Sequence, residues 1–247
     1  MPETGETGIY ARTRILVGDA GILRLQQAHV LLAGVGGVGS FAAESLVRAG
    51  IGRITLIDPD SVAPSNLNRQ LPATERTMGQ KKGAVMRERL LEINPRCQVE
   101  WIDHFLTGAT IPAILDRTAP DWVLDAIDAL NCKVALILEA RARGCPVASS
   151  MGAGGRLDPT RIVVGDLLDT SVCPLAREVR VRLRRRGCGR GVIAVWSPEQ
   201  PLPHAPMEQT EQGRGRVVNG TISYLPALFG ITLAGVVIRA LLSSPAR

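Results

Sequence analysis

The stretch Gly34-Val35-Gly36-Gly37-Val38-Gly39-Ser40 constrains this chain more than any other. It closes the apolar run Val30–Val35 and opens the helical pattern Phe41–Ala49. A continuous apolar run of that kind is typical of a strand buried in a parallel sheet. Gly34, Gly36 and Gly39 satisfy G-x-G-x-x-G, with Gly37 and Ser40 completing the turn. Glycines here let the backbone turn tightly and approach a phosphate, while the helix N-terminus supplies amide donors. Asp58 ends the next strand, Arg53–Ile57, 19 residues after Gly39. That is the position of a carboxylate that accepts hydrogen bonds from ribose hydroxyls. Strand, turn, helix and acid in this order point to a nucleotide.

The rest of the chain continues the alternation. Helical patterns cover 19–27, 78–93, 133–143 and 175–186. Strand patterns cover 98–102, 122–126, 146–149, 161–165 and 192–196. The succession predicts a Rossmann-like α/β fold: a mainly parallel sheet flanked by helices on both faces, with a C-terminal strand–helix extension. The reading is one domain over 1–247, with a nucleotide-binding core at about 9–165. Residues 197–216 are rich in Pro, Gln, Glu and Gly and read as a long mobile loop. From Val217 to Leu242 only Arg239 is charged. Asn219, Gly220, Ser223, Pro226 and Gly230 interrupt that segment, so it reads as buried core rather than a membrane span.

Composition sharpens this. With 45% hydrophobic and 21% charged residues the chain can bury a full core, which excludes disorder as its main state. Its net charge of +6 favours an anionic partner. Only three of 29 basic residues are lysines (Lys81, Lys82 and Lys133), so a single arginine is weaker evidence than a lysine. Five cysteines without any C-x-x-C pair argue against a closed paired-cysteine zinc site. No two of His29, His104 and His204 fall at ligand spacing. The opening residues, MPETGETGIYARTR, lack an apolar leader, and the expectation is a cytoplasmic protein with reduced thiols.

The glycine fingerprint alone suggests NAD; the residues after it argue for ATP. Asp58-Pro59-Asp60 leads into Ser65-Asn66-Leu67-Asn68-Arg69-Gln70 and then Gly79-Gln80-Lys81-Lys82. A triphosphate needs cationic clamps, which Arg69 and Lys82 can provide. Asp128 follows a strand, where a carboxylate can hold Mg²⁺ against phosphate oxygens. Taken singly, Arg69 reads as a surface arginine and Asp128 as a cap for a helix near Asn131. Their order together gives the nucleotide reading.

GxGGxGS, D-x-D, S-N-x-x-R-Q, G-x-x-K, I-N-P and D-x-x-D in this order resemble the adenylation domain of the ubiquitin-activating-enzyme superfamily, which includes ThiF, MoeB and HesA. The resemblance implies ATP and Mg²⁺ binding and activation of a carboxylate. It implies that Asp58 holds the ribose, that Arg69 and Lys82 neutralise the triphosphate, and that Asp128 places Mg²⁺. Asp60, Asn66 and Gln70 lie within the same motifs. Tyr10-Ala11-Arg12 resembles the superfamily's N-terminal segment, where the arginine reaches the partner subunit's ATP, implying a homodimer.

Within the superfamily, sulfur-carrier activators usually carry paired zinc cysteines, which this chain lacks. Gly152–Thr160, Pro174–Arg177 and Gly220–Pro226 instead resemble the tRNA threonylcarbamoyladenosine dehydratases. That resemblance implies ATP-dependent cyclisation of the threonylcarbamoyl group beside the anticodon. The alternative is adenylation of the C-terminal glycine of a ubiquitin-like sulfur carrier, with a sulfur-transfer partner. Gly152–Gly155 reads equally as an acyl pocket or as a plain turn. The helix bearing Arg177, Arg180, Arg182, Arg184, Arg185 and Arg186, followed by Arg190, suits RNA phosphates. It also suits a solvated face. Cys173 and Cys188 bracket that helix and read as incidental thiols before sulfur acceptors, and Cys97, Cys132 and Cys145 as core.

Overall fold

The computed structural model describes residues 8–202, 208–209, 215–216 and 220–243. Helix α1 (Ala11–Gln27) precedes β1 (His29–Ala33), α2 (Gly39–Ala49) and β2 (Arg53–Ile57). Then come α3 (Lys82–Ile93), β3 (Gln98–Ile102), α4 (Ile111–Thr118), β4 (Trp122–Asp125), α5 (Leu130–Ala142) and β5 (Val147–Ser150). The second half adds β6 (Val163–Asp166), α6 (Pro174–Arg185), β7 (Val192–Trp196) and α7 (Tyr224–Ser243).

Seven strands form one sheet in the order β3-β2-β1-β4-β5-β7-β6. All neighbours are parallel except the edge strand β6, which runs antiparallel to β7. The chain moves outward from β1 through β2 and β3, then crosses back so that β4 lies on the other side of β1. Such a reversal opens a crevice at the carboxyl ends of the strands, where ligands bind in open α/β sheets.

Every residue of β1 is buried, because helices cover both faces. Val30 and Leu32 join the core beneath α2, α3 and α7, while Leu31 and Ala33 join that beneath α4, α5 and α6. The apolar C-terminal segment becomes α7. By length and composition this helix could cross a membrane. Here it lies against α2, with Leu225, Phe229, Leu233, Ala234 and Val237 fully buried. Burial of each such side chain stabilises by about 1.5–3 kcal/mol. The contact is close: a Cβ on Gly230 would fall 2.1 Å from the Val38 carbonyl oxygen.

Several boundaries differ from the sequence expectations. α1 begins at Ala11 rather than 19, and continues through a kink at Gly18 (φ 68°) that breaks the helical pattern. α3 begins at Lys82 rather than 78, because Gly79 takes φ +78° and turns the chain. α4 was not expected. The segment before α7, Gly220–Ser223, is irregular. Half of the loop expected over 197–216 lies outside the described residues; inside them, Glu208–Gln209 pairs antiparallel with Gly215–Arg216.

Candidate functional site

The crevice is built on the glycine turn. Gly34 takes φ +88° and donates its amide to the Ile57 carbonyl at 2.8 Å, which ties the start of the turn to the end of β2. A Cβ on Gly39 would lie 1.8 Å from the Gly34 carbonyl oxygen, so only glycine fits there. Gly37 sits against Arg69 and Pro226: a Cβ there would approach them at 3.3 and 3.1 Å. Ser40 is fully buried and donates its hydroxyl to the Gly36 carbonyl at 2.6 Å, fastening the turn to the first residues of α2.

Asp58 connects this turn to the next strand. Its Oδ2 accepts the Val35 amide at 2.7 Å and its Oδ1 the Asp60 amide at 2.9 Å. Burial pushes its carboxyl above the usual aspartate value, against the opposing pull of those two amides and of Lys82. Lys82 is itself buried, and its Nζ lies 2.9 Å from Oδ2 of the exposed Asp60. Trp101 donates its indole N–H to the Asp58 carbonyl at 3.0 Å and presses on Gly83, which fixes the first turn of α3.

The Ser65–Gln70 segment approaches from the other side. Asn66 is buried; its Oδ1 accepts the Ala63 amide at 3.1 Å and its carbonyl accepts the amides of Arg69 and Gln70. The Arg69 guanidinium reaches the Ser65 carbonyl and Asn68 Oδ1, both at 2.8 Å. Among the described residues no carboxylate pairs with it, and burial lowers its pKa. The Gln70 amide lies beside Gly36, and its buried Oε1 has no hydrogen-bond partner among the described residues. An orphaned buried acceptor at a glycine turn suits a ligand that completes the site.

Asp128 is exposed in the loop from Ala126 to Ala129, between β4 and α5. That loop touches the turn directly: a Cβ on Gly34 would meet the Ala126 carbonyl oxygen at 2.9 Å. Thus Gly34–Ser40, Asp58, Asp60, Asn66, Arg69, Gln70, Lys82 and the Asp128 loop gather at one end of the sheet. Arg12 is not part of this cluster within one chain; it is exposed on the first turn of α1.

Two later segments close on the same place. Asn68 Nδ2 donates to the Thr221 carbonyl at 2.8 Å, the Gly155 amide donates to the Gly220 carbonyl at 2.7 Å, and Tyr224 Oη donates to the Leu157 carbonyl at 2.7 Å. The glycine loop after β5 and the entry to α7 are therefore joined to the Ser65–Gln70 segment.

Sequence reasoning missed a buried ion pair. Lys133 Nζ lies 2.7 Å from Asp125 Oδ2, and both side chains are fully buried. The signals that could have found it were a lysine in an arginine-rich chain and the first acid of D-x-x-D. Arg156 was missed too: it is buried, with Nη1 donating to the carbonyls of Gly152 and Gly154.

The basic helix is only partly free. Arg180 bonds Thr170, Arg182 bonds Asn131, and Arg190 pairs with Asp169 at 2.6 Å. Arg177, Arg184, Arg185 and Arg186 are exposed. Cys173 is buried and Cys132, Cys145 and Cys188 are half-buried. Burial pushes the thiols of Cys97 and Cys145 to about 11, which keeps both protonated at neutral pH.

A sequence model described as ThiF family matches residues 10–246. The chain belongs to the ThiF family. Within it, the chain groups with the tRNA threonylcarbamoyladenosine dehydratases. It is 37% identical to the tRNA threonylcarbamoyladenosine dehydratase of Bacillus subtilis over 240 residues, 94% of each chain. It superposes with a TM-score of 0.85, at 35% identity, on the crystal structure of E. coli tRNA N6-threonylcarbamoyladenosine dehydratase, TcdA, in complex with ATP. That match covers 95% of this chain and 93% of the other. Another relative, the E. coli sulfur carrier protein ThiS adenylyltransferase, is 35% identical over 153 residues, 60% of each chain.

Proposed function

We propose that this ThiF-family chain is an ATP-dependent tRNA threonylcarbamoyladenosine dehydratase. The observation that carries the reading is the cluster at the glycine turn: phosphate-facing amides, a ribose-type carboxylate and two buried or half-buried cations, Lys82 and Arg69, without a cysteine thiol among them. The likeness to a dehydratase over 94% of the chain, against 60% for the carrier activator, supports it.

Such a site activates an acid. The threonyl carboxylate is a poor electrophile. Its oxygen bonds to a phosphorus of ATP and displaces the rest of the phosphate chain. The carbamoyl group of the same modification then attacks the activated carbonyl carbon and releases an N–H proton to solvent, and the phosphate-bearing group departs with the carboxylate oxygen. The nucleoside has lost the elements of water. Ring closure is intramolecular, with effective molarities on the order of 10⁵ M or more when the groups are well oriented, so no enzyme nucleophile is needed.

The residues take roles in that scheme. The amides of Gly36–Gly39 face the phosphates, Asp58 accepts the ribose hydroxyls, and Lys82 and Arg69 neutralise charge developing on the phosphate chain. Lys82 exchanges Asp60 for phosphate as ATP arrives. Gln70 Oε1 gains a partner from the nucleotide or its water. In this reading Asp128 would hold Mg²⁺, an ion usually bound through one or two carboxylates plus substrate phosphates. Its exposed position in the loop beside the turn fits that role, and the ion would supply charge neutralisation.

The same reading includes one domain, a cytoplasmic location and a homodimer in which Arg12 of one protomer completes the site of the other. Exposed Ile15 and Leu16 follow Arg12 on α1 and suit a buried dimer surface. Arg177 and Arg184–Arg186 offer phosphate contacts to the tRNA. The partial likeness to a carrier activator favours a second reading, adenylation of a small Gly-Gly-ending carrier with a sulfur-transfer partner. ATP consumption assayed with modified tRNA and, separately, with such a carrier discriminates them. Turnover with tRNA alone supports the first reading, and turnover with the carrier alone replaces it.

A further inference from the structure

Lys133 is among the largest fully buried side chains of the described residues, and its charge needs a reason. Its ammonium donates to Asp125 Oδ2 at 2.7 Å, to the Ser150 carbonyl at 2.9 Å and to Ser149 Oγ at 3.3 Å, so all three N–H groups are used. Ser149 Oγ in turn donates to Asp125 Oδ2 at 2.6 Å. The other carboxylate oxygen, Oδ1, accepts the Ile127 amide at 3.1 Å. A buried pair of this kind is weak as a source of stability, and a well-packed apolar pair would often do as well. Its best-supported use is to fix one arrangement.

What it fixes lies at the site. Asp125 ends β4, and Ile127 is in the loop that carries Asp128. Ser149 and Ser150 end β5, directly before the glycine loop 151–155. The Ala126 amide donates to the Ala33 carbonyl at 2.9 Å, and the Ala126 carbonyl lies against Gly34. Lys133 therefore ties three things that the chemistry needs in register: the Asp128 loop, the glycine turn and the loop after β5.

We propose that Lys133, acting through Asp125, is a positioning residue that sets the Asp128 carboxylate where the metal–phosphate complex requires it. The inference rests on the role given to Asp128 above. Contacts made directly to a metal ligand typically change metal affinity by about 10- to 100-fold when lost; the Lys133–Asp125 pair reaches Asp128 through the Ile127 amide, which puts its effect at the low end of that range.

The test measures ATP affinity with and without Mg²⁺ by calorimetry, for the wild type and for Asp128→Ala, Ser149→Ala, Lys133→Met and Lys133→Arg. Far-ultraviolet circular dichroism checks each fold. Ser149→Ala is the mild variant, which keeps the ion pair if Lys133→Met fails to fold. The readout is the ratio of affinities with and without the metal. A merely structural role would lower both affinities together and leave the ratio alone. Asp128→Ala should abolish the advantage given by Mg²⁺. Lys133→Met should lower it about 10-fold, Ser149→Ala should lower it less, and Lys133→Arg should recover part of it. If Asp128→Ala removes the advantage while Ser149→Ala and every folded Lys133 variant keep it, the positioning role is overturned. If Asp128→Ala itself keeps the advantage, the assignment of Asp128 is what fails.

Discussion

Asp58 Oδ2 accepts the Val35 amide at 2.7 Å, which locks the end of β2 to the glycine turn that leaves β1. One carboxylate thus shapes the glycine turn and, in the proposed function, also accepts the ribose hydroxyls. The two duties are separable because each oxygen has two lone pairs.

Burial raises the Asp58 pKa above 3.8. Nucleotide affinity that depends on its ionised form is full well above the raised value and fails as pH falls through it. The acid limb of ATP binding should therefore lie above the ordinary aspartate range. Asp58→Asn should bind ATP at least about 10-fold more weakly, with that limb gone. Calorimetric titration across the acid range compares the two; an Asn variant with wild-type affinity would remove Asp58 from the site.

Gly39 tolerates no side chain, since its Cβ would stand 1.8 Å from the Gly34 carbonyl oxygen. Gly39→Ala should cost about 1–3 kcal/mol of stability and distort the turn, with loss of ATP binding. Urea unfolding together with ATP titration checks both; a stable variant that binds ATP would show that the turn opens cheaply.

Lys82→Ala and Asp128→Ala should each lower turnover about 10²-fold or more while far-ultraviolet circular dichroism stays unchanged. Full activity in either folded variant would take that residue out of the mechanism.

His29 is 7% exposed and shares a 2.9 Å hydrogen bond with Thr55 Oγ1. Burial, helped by the charge of Arg53, lowers its pKa below 6.5. Below that value the unfolded chain takes up a proton that the folded chain resists. Stability is thus fully present above 6.5 and falls as pH drops through 6.5 towards the folded value. Urea unfolding at about pH 8 and about pH 5.5 should show the loss. His29→Gln should shrink that difference, and an unchanged difference would place the protonation elsewhere.

Arg184→Ala combined with Arg185→Ala should weaken tRNA binding and flatten its salt dependence by about one to two units of log K against log salt. Unchanged affinity and slope would place the tRNA on another face.

Much of the fold and the site was legible in the sequence, for physical reasons that also mark its limits. The strands at 53–57 and 192–196 fall where their side-chain patterns put them, because the sheet imposes burial on consecutive residues, whereas 98–102 is a partly exposed edge strand read from its alternation. The glycine turn was readable because steric exclusion at Gly39 leaves no substitute. The first turns of α1 were missed because Gly18 interrupts the helical pattern there. α4 was missed although Pro112 in its first turn and Arg117 in its last are boundary signals, because eight residues carry barely two turns of periodicity. The Asp125–Lys133 pair joins a strand end to the inner face of α5. Neither residue's local sequence shows that contact, which only sheet packing creates. The same holds for Arg180 and Arg182, which counted towards a basic face but are held by Thr170 and Asn131.

The most direct test is nucleoside mass spectrometry of tRNA bearing threonylcarbamoyladenosine, after incubation with the purified protein and Mg-ATP and a mild digestion that preserves the ring. The modified nucleoside should lose the mass of one water, only when ATP is present and not with Lys82→Ala. An unchanged nucleoside from a preparation shown to bind ATP would contradict the dehydratase reading.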